Sequence, residues 1–273
     1  MPEGDTIWRA AHALDLALSG QVVTAFRSRA PAIRPAAERA LAGSSVREVR
    51  SRGKHLLMRF SAASDELVLH THMRMHGSWH LYRPGERWRR SPSAARVVVE
   101  TAAYVAPCFD APVVEVLRAR DLARHPALAE LGPDAIAEEF HAVEARLRLR
   151  ARPEREIGVA LLDQRSMAGL GNVYKSEVLF VRRLSPFTPV GQLGDDELDA
   201  LIAEGRRLLL ANRQGPVRRT RNALDPRQPL WIYGRAGQGC WACGQAVRAA
   251  RQGEDARVTY FCATCQPRRK APP

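Results

Sequence analysis

The feature that most constrains this chain is Cys240-Trp-Ala-Cys243, followed after 18 residues by Cys262-Ala-Thr-Cys265. Two C-x2-C pairs at this spacing are the pattern of a structural zinc site. Four thiolates complete a tetrahedron and leave no open position, so one Zn2+ is expected to hold structure and do no chemistry. Free thiols or two disulfides would use the same residues, but disulfides belong to an oxidising compartment. No secretory segment opens the chain and no apolar run reaches the length of a membrane span, so it reads as cytoplasmic. Between the pairs, 247–251 and 258–261 read as strands of a hairpin, with 252–256 at the turn and Arg257 beside it. An Arg near the tip of a small zinc hairpin suits a phosphate, although a solvated Arg looks the same in sequence. The fifth cysteine, Cys108, lies in an apolar stretch and reads as a small buried hydrophobe.

Charge narrows the class of partner. The 273 residues carry a net charge of +13, and residues 206–273 hold 14 basic against three acidic side chains. A concentrated basic region favours a polyanion, most simply nucleic acid. The basic residues are nearly all arginine. Lys54, Lys175 and Lys270 are the three lysines, and a compact point charge among so many planar guanidinium groups stands out.

The chain start, Met1-Pro2-Glu3-Gly4-Asp5-Thr6, offers chemistry. If Met1 is removed, Pro2 becomes a free secondary amine beside a carboxylate. A terminal amine has a pKa of about 7.7–8.0, against about 10.4 for lysine, so far more of it is neutral at pH 7. Such an amine attacks an electrophilic carbon and forms a covalent iminium. The structural alternative is a helix start, with Pro at the first helical position and an acid in the first turn.

Along the chain, Ile7, Ala10, Ala11, Leu14 and Leu18 give an amphipathic helix over 6–18, ending near Gly20. Segments 21–27, 46–50, 55–60, 66–72, 78–82, 96–101 and 112–117 read as strands of a sandwich or barrel. Leu-Gly-Pro-Asp at 131–134 marks a boundary. The pattern turns helical from about Ile136, with further helices over 173–181 and 196–210. Residues 212–230 form a long Arg/Gln/Pro-rich connection without periodicity, and such connections are usually functional or disordered.

Three motifs lie on turns. Gly169-Leu-Gly171-Asn172 is no dinucleotide loop, having the wrong spacing and no preceding strand. It exposes helix N-terminal amides, which Asn172 could cap and a phosphate could occupy. Arg52-Gly-Lys54-His55 precedes a strand and is no P-loop. In His72-Met-Arg-Met75-His-Gly77, Met75 reads either as core or as an apolar wedge for a base stack.

Taken together, these pieces resemble the formamidopyrimidine-DNA glycosylase/endonuclease VIII family of base-excision repair enzymes. The likeness runs from Pro2 to Gln266. It is carried by Met-Pro-Glu-Gly at the start, Ser-Arg-Gly-Lys-His-Leu at 51–56, His-Met-Arg-Met-His-Gly at 72–77, Leu-Leu-Asp-Gln with Ala-Gly-Leu-Gly-Asn across 161–172, and the four-cysteine finger. The resemblance implies an α+β chain in three parts. These are a catalytic N-terminal β-sandwich with its helix (1–131), a helix-two-turn-helix domain (132–230), and a zinc finger with a basic tail (231–273). It implies Pro2 as nucleophile on C1′ of the damaged nucleotide and Glu3 as acid/base. Lys54 is implied at the catalytic centre too, gripping with Asn172 and Arg257 the phosphates that flank the lesion. Met75 fills the gap left by the flipped base. Cys240, Cys243, Cys262 and Cys265 hold the zinc.

The implied partner is double-stranded DNA with oxidised bases or AP sites, bound by a monomer in the nucleoid-containing cytoplasm, with single-stranded or bubble DNA left open. The purine-directed branch carries Asp-Pro-Arg-Arg-Phe-Gly before the domain boundary, where this chain has Asp110-Ala-Pro-Val-Val-Glu115. Without that Arg and Phe, the expected substrate is an oxidised pyrimidine, with oxidised purines or a non-catalytic damaged-DNA binder as the alternatives. Many relatives have a second Glu at the position of Thr6, so an auxiliary proton transfer there is not expected.

Overall fold

The computed structural model describes residues 2–61, 66–215, 217–222, 225 and 227–269. Met1, Lys270 and parts of the 212–230 connection lie outside them. By contact density the chain divides into two compact units, Met1–Glu130 and Leu131–Pro273.

The first unit opens with helix α1 (Gly4–Leu18), whose stripe Ile7, Ala11, Leu14 and Leu18 is buried. Eight strands follow: β1 (Val23–Ser28), β2 (Ser45–Arg52), β3 (His55–Ser61), β4 (Glu66–His72), β5 (Ser78–Trp79), β6 (Ala95–Thr101), β7 (Val105–Phe109) and β8 (Val113–Arg118). They form two antiparallel four-stranded sheets, ordered β1-β6-β7-β5 and β2-β3-β4-β8. Strand residues alternate between faces. Leu56, Met58 and Phe60 of β3 therefore enter the core with Leu69, Val97 and Val99, and α1 packs on β2 and β3. The Asp15 carboxylate pins that helix by accepting the Val49 N–H at 2.7 Å.

Several elements differ from the sequence reading. A short helix α2 (Pro35–Leu41) starts on Pro35 at its first turn. Strand β7 was not anticipated. The expected strand 78–82 is only Ser78–Trp79, after which Tyr82 makes a single bridge to Val105.

A 3-10 turn (Ala119–Arg124) and helix α3 (Pro126–Ala129) close the first unit. In the second, helix starts at α4 (Ala142–Arg150) and not at Ile136. The irregular stretch before it is fixed from outside. Asp134 accepts the Ile136 N–H, and Arg206 donates to the carbonyls of Ala135 and Ala137 at 2.9 and 2.7 Å. Helices α5 (Ile157–Ala160), α6 (Asn172–Val181) and α7 (Asp195–Ala211) follow, then the hairpin β9 (Arg248–Gln252) and β10 (Arg257–Phe261). Phe180 of α6 shares a cluster with Ile232, Cys240, Val247 and Cys262, so helical segment and cysteine hairpin have a common core. Among the described residues, no helix is long and apolar enough to cross a membrane.

Candidate active site

At the chain start the helix begins two residues later than a proline at its first position would place it. Glu3 is the N-cap of α1, extended at φ −121° and ψ −177°, and Pro2 stands outside the helix. The Glu3 carbonyl accepts the N–H groups of Thr6 and Ile7 at 2.9 and 3.0 Å, while its carboxylate takes no part in capping. That carboxylate is fully buried, as is Asp5, which lies 3.8 Å from Arg9. The structural alternative for Pro2-Glu3 thus fails on position: Pro2 is no N1 residue and Glu3 is no first-turn acid.

Lys54 sits at a two-residue hairpin between β2 and β3, whose flanks Arg52 and His55 are paired. Gly53 has φ +58°. A positive φ at the first central residue is what a tight hairpin of this length demands, and glycine supplies it without a steric penalty. The lysine is carried half-buried at the edge of the sandwich. Met75 lies on the turn after β4. Its neighbour Met73 is in the core, 2% exposed, whereas Met75 is 46% exposed. The core alternative therefore falls to Met73 and the projecting apolar side chain to Met75. Gly77 closes this turn, donating to the Met73 carbonyl at 2.9 Å. A Cβ there would lie 2.7 Å from that same oxygen, so only glycine fits without a backbone shift.

Lys54 and Met75 sit on turns that meet at one imidazole. His55 and His72 are register partners across β3 and β4, their rings 4.6 Å apart at 69°. His72 Nδ1 accepts the Arg74 N–H at 3.1 Å, which leaves hydrogen on Nε2. Burial, then the charges of Arg74 and Lys54, lower the His72 pKa to about 4. His72 is thus a neutral N–H donor beside the lysine. The sequence reading quoted it within a motif but gave it no role. Its signal was the alternation His70-x-His72, which places both rings on one strand face.

In the second unit, Asn172 and Arg257 are brought together. Asn172 was expected to cap α6. The cap is Gly171, and the Asn172 amide instead donates to the carbonyl of Val258, beside Arg257, at 2.7 Å. A tertiary partner 86 residues away outcompetes the local cap. Asn172 Oδ1 is buried with no hydrogen-bond partner among the described residues. Lys175, one turn further along α6, is fully buried. Its Nζ donates to Thr259 Oγ1 at 2.6 Å, and Thr259 donates on to Gln252 Oε1 at 2.9 Å. Gln252 Nε2 donates to Glu156 and to the Pro186 carbonyl, each at 2.8 Å. This chain fastens the hairpin to α6. Arg155, Lys175, Gln252 and Arg257 line a cleft of about 420 Å³ there.

The four cysteines converge. Their sulfur atoms lie within 4.8 Å of one another, with Cys240–Cys265 at 3.9 Å and Cys243–Cys262 at 3.4 Å. A tetrahedron of about 2.3 Å zinc–sulfur bonds has edges of about 3.8 Å. The cluster fits that size, and no disulfide joins it. Gln266 supports it, accepting the Cys262 N–H at 3.0 Å and donating to the Leu184 carbonyl at 2.8 Å. Cys108 is fully buried, and burial pushes its thiol pKa up, as befits an inert core residue.

Comparison with known proteins places these elements in one family. Residues 1–124 match the formamidopyrimidine-DNA glycosylase N-terminal domain, and residues 131–214 match the formamidopyrimidine-DNA glycosylase H2TH domain. The chain belongs to the formamidopyrimidine-DNA glycosylase/endonuclease VIII family, and it is a DNA glycosylase/AP lyase of base-excision repair. It is 44% identical to a probable endonuclease 8 2 of Streptomyces coelicolor, over 97% of this chain and 94% of that protein. It is 40% identical to the DNA-(apurinic or apyrimidinic site) lyase Nei2 of Mycolicibacterium smegmatis, over 97% and 99%. The fold matches Lactococcus lactis Fpg in complex with abasic-site DNA, with a TM-score of 0.81 and 23% identity over 98% of this chain and 100% of that one.

Proposed function

We propose that Pro2, freed of Met1, attacks C1′ of an oxidised pyrimidine nucleotide while Glu3 protonates the opening sugar ring. The observation that carries this is Pro2 standing outside α1, next to the fully buried carboxylate of Glu3. The base departs as the iminium forms between the Pro2 nitrogen and C1′. The iminium makes the C2′ protons acidic. Loss of one expels the 3′ phosphate, and a second elimination expels the 5′ phosphate. No catalytic metal enters these steps.

The target base cannot be reached inside a duplex, so the nucleotide must be extruded. Lys54, Asn172 and Arg257 hold the phosphates on either side of it. Met75, already projecting, occupies the vacated place in the stack. The monomeric enzyme acts on duplex DNA in the cytoplasm. One Zn2+ on Cys240, Cys243, Cys262 and Cys265 keeps the hairpin with Arg257 in shape. Cys262→Ser is expected to release that zinc and weaken DNA binding together, and unchanged binding after zinc loss excludes the hairpin from the interface.

Pyrimidine choice rests on the β7–β8 connection. Asp110 there has φ +48° and pairs with Arg90, and only Ala111 and Pro112 separate it from β8. None of the three link residues, Asp110, Ala111 and Pro112, is an Arg or a Phe of the kind that would probe an opposite base. A panel of single-lesion duplexes tests this. Ring-saturated or hydroxylated pyrimidines are expected to be excised faster than 8-oxopurines, and the reverse order overturns the assignment.

A further inference from the structure

The outer face of the β2-β3-β4-β8 sheet carries a row of polar side chains that the chemistry above does not use. On β3, β4 and β8 the core takes Leu56, Met58, Leu69 and Val114. The opposite face takes His55, His70, His72 and Glu115, with His70 and Glu115 paired across β4 and β8. His55 Nδ1 lies 2.8 Å from His70 Nε2, and His70 Nδ1 lies 2.8 Å from Glu115 Oε1. His125, which precedes α3, places Nε2 at 3.0 Å from the same oxygen.

Proton accounting gives this chain a direction. An ionised carboxylate only accepts, so His70 Nδ1 and His125 Nε2 both carry hydrogen. A neutral His70 then offers a lone pair at Nε2, and His55 Nδ1 must donate to it. Burial first, then the surrounding His72, His70, His125 and Arg52, lower the His55 pKa to about 2. Burial also lowers that of His70, against the pull of Glu115. His55 and His70 are neutral, and each hydrogen bond between them and the carboxylate has one sense, His55 to His70 to Glu115.

The far end of the chain is the candidate site. His55 follows Lys54 directly. Held at Nδ1, its ring meets the edge of His72, the neutral donor whose pKa Lys54 depresses. We propose that Glu115 and His70 are positioning residues, and that the directed chain through His55 sets the Lys54 turn and His72 for their grip on a lesion-flanking phosphate. This rests on the role given to Lys54 above. Packing alone gives no reason for such a chain, since apolar groups of similar shape in place of a buried polar network are often neutral or stabilising. Orientation is what hydrogen bonds add.

His70, Glu115 and His125 also form a possible metal-ligand set, their donor atoms within 4.8 Å of one another. The separations favour hydrogen bonds. Nitrogen to oxygen at 2.8 and 3.0 Å is shorter than the edge of about 3.3 Å in a tetrahedron with bonds of about 2.0–2.1 Å.

The test uses single-turnover borohydride trapping on a saturating AP-site duplex, with binding to undamaged duplex, zinc content and melting temperature measured alongside. His55→Leu and His70→Phe are expected to slow adduct formation about tenfold, with affinity for undamaged duplex unchanged within about twofold. His55→Asn keeps an N–H at the place of Nδ1 and is expected to restore most of the rate. Glu115→Gln keeps an acceptor oxygen without the charge, a milder change that is expected to slow the step about threefold. In a Lys54→Ala background the His55→Leu penalty is expected to shrink, because part of it acts through that lysine and the rest through His72. A merely structural role would leave the penalty in place. Wild-type rates in His55→Leu or Glu115→Gln, no rescue by Asn, or a second zinc per chain lost in His70→Phe would each overturn the proposal. Absence of any adduct from wild-type protein instead sinks the Pro2 reading itself, so the two failures are distinguishable.

Discussion

The two units bury polar groups to different ends. In the second, Glu177 is fully buried and accepts the N–H groups of Trp231, Ile232 and Tyr233 at 2.8–2.9 Å, together with the Thr220 hydroxyl. The Lys175–Thr259–Gln252 chain does similar work for the hairpin. The Glu177 network fixes backbone that has little helix or sheet of its own, and the Lys175 chain fastens the hairpin to α6. In the first unit an apolar core, with Asp15 pinning α1, fixes the backbone, and the polar chain lies on the outer face of the sheet, ending beside Lys54. Polar burial thus substitutes for a core in one unit and aims side chains in the other. Removing a network should therefore cost stability in the second unit and catalysis in the first.

The largest expected effect is catalytic. Glu3→Gln should lower base excision by about 10²–10⁴-fold, the range for one acid/base group. Cleavage of a pre-formed AP site should fall much less. Pro2→Gly should retain some amine chemistry. Equal loss of excision and AP-site cleavage in Glu3→Gln contradicts the role given to Glu3.

Next comes Glu177→Ala, which strands several buried donors. Each buried donor left unsatisfied costs about 1–3 kcal/mol, so a loss of several kcal/mol is expected. Chemical denaturation should register that loss, whereas Glu115→Gln should leave stability nearly unchanged. Similar losses in both variants would erase the contrast between the units.

Acid gives a smaller, graded effect. His55 and His72 are neutral in the folded chain, with pKa values lowered to about 2 and about 4. The unfolded chain therefore binds more protons below the ordinary histidine value of about 6.5. Stability is complete above that value and declines as pH falls, down to about 4 for the His72 contribution and on to about 2 for that of His55. Melting temperatures at pH 7 and pH 5 measure the slope, and His72→Asn should flatten it. A wild-type melting temperature that does not change over that interval contradicts the neutral assignment.

The smallest effect belongs to Met75→Ala. As an exposed side chain it should leave stability within about 0.5 kcal/mol, while preference for AP-site over undamaged duplex falls severalfold. A loss of about 2–5 kcal/mol would return Met75 to the core.

Sequence carried most of the architecture because period and turn chemistry are local. The α1 stripe, the Gly53 hairpin and the paired cysteines each follow from residues within a few positions of one another. Strand β7 was hidden by Pro107, which reads as a breaker yet sits opposite Val98. Helix α2 was missed although Pro35 stands at its start. Asn172 was read as a cap because nothing nearby in sequence points to Val258. The histidine chain was only half legible: alternation on β4 marks His70 and His72, but Glu115 lies 45 residues away and no local pattern links them. Side-chain partners across a sheet are set by register, which the order of residues alone does not give.

The proposed chemistry bonds an imino terminus to a sugar carbon of DNA. Borohydride-trapped complex on an AP-site oligonucleotide, digested and sequenced by mass spectrometry, tests it most directly. A nucleotide remnant is expected on a peptide beginning at Pro2, with Met1 absent. An adduct mapped to Lys54 or Lys175, or trapping by protein that keeps Met1, would contradict it.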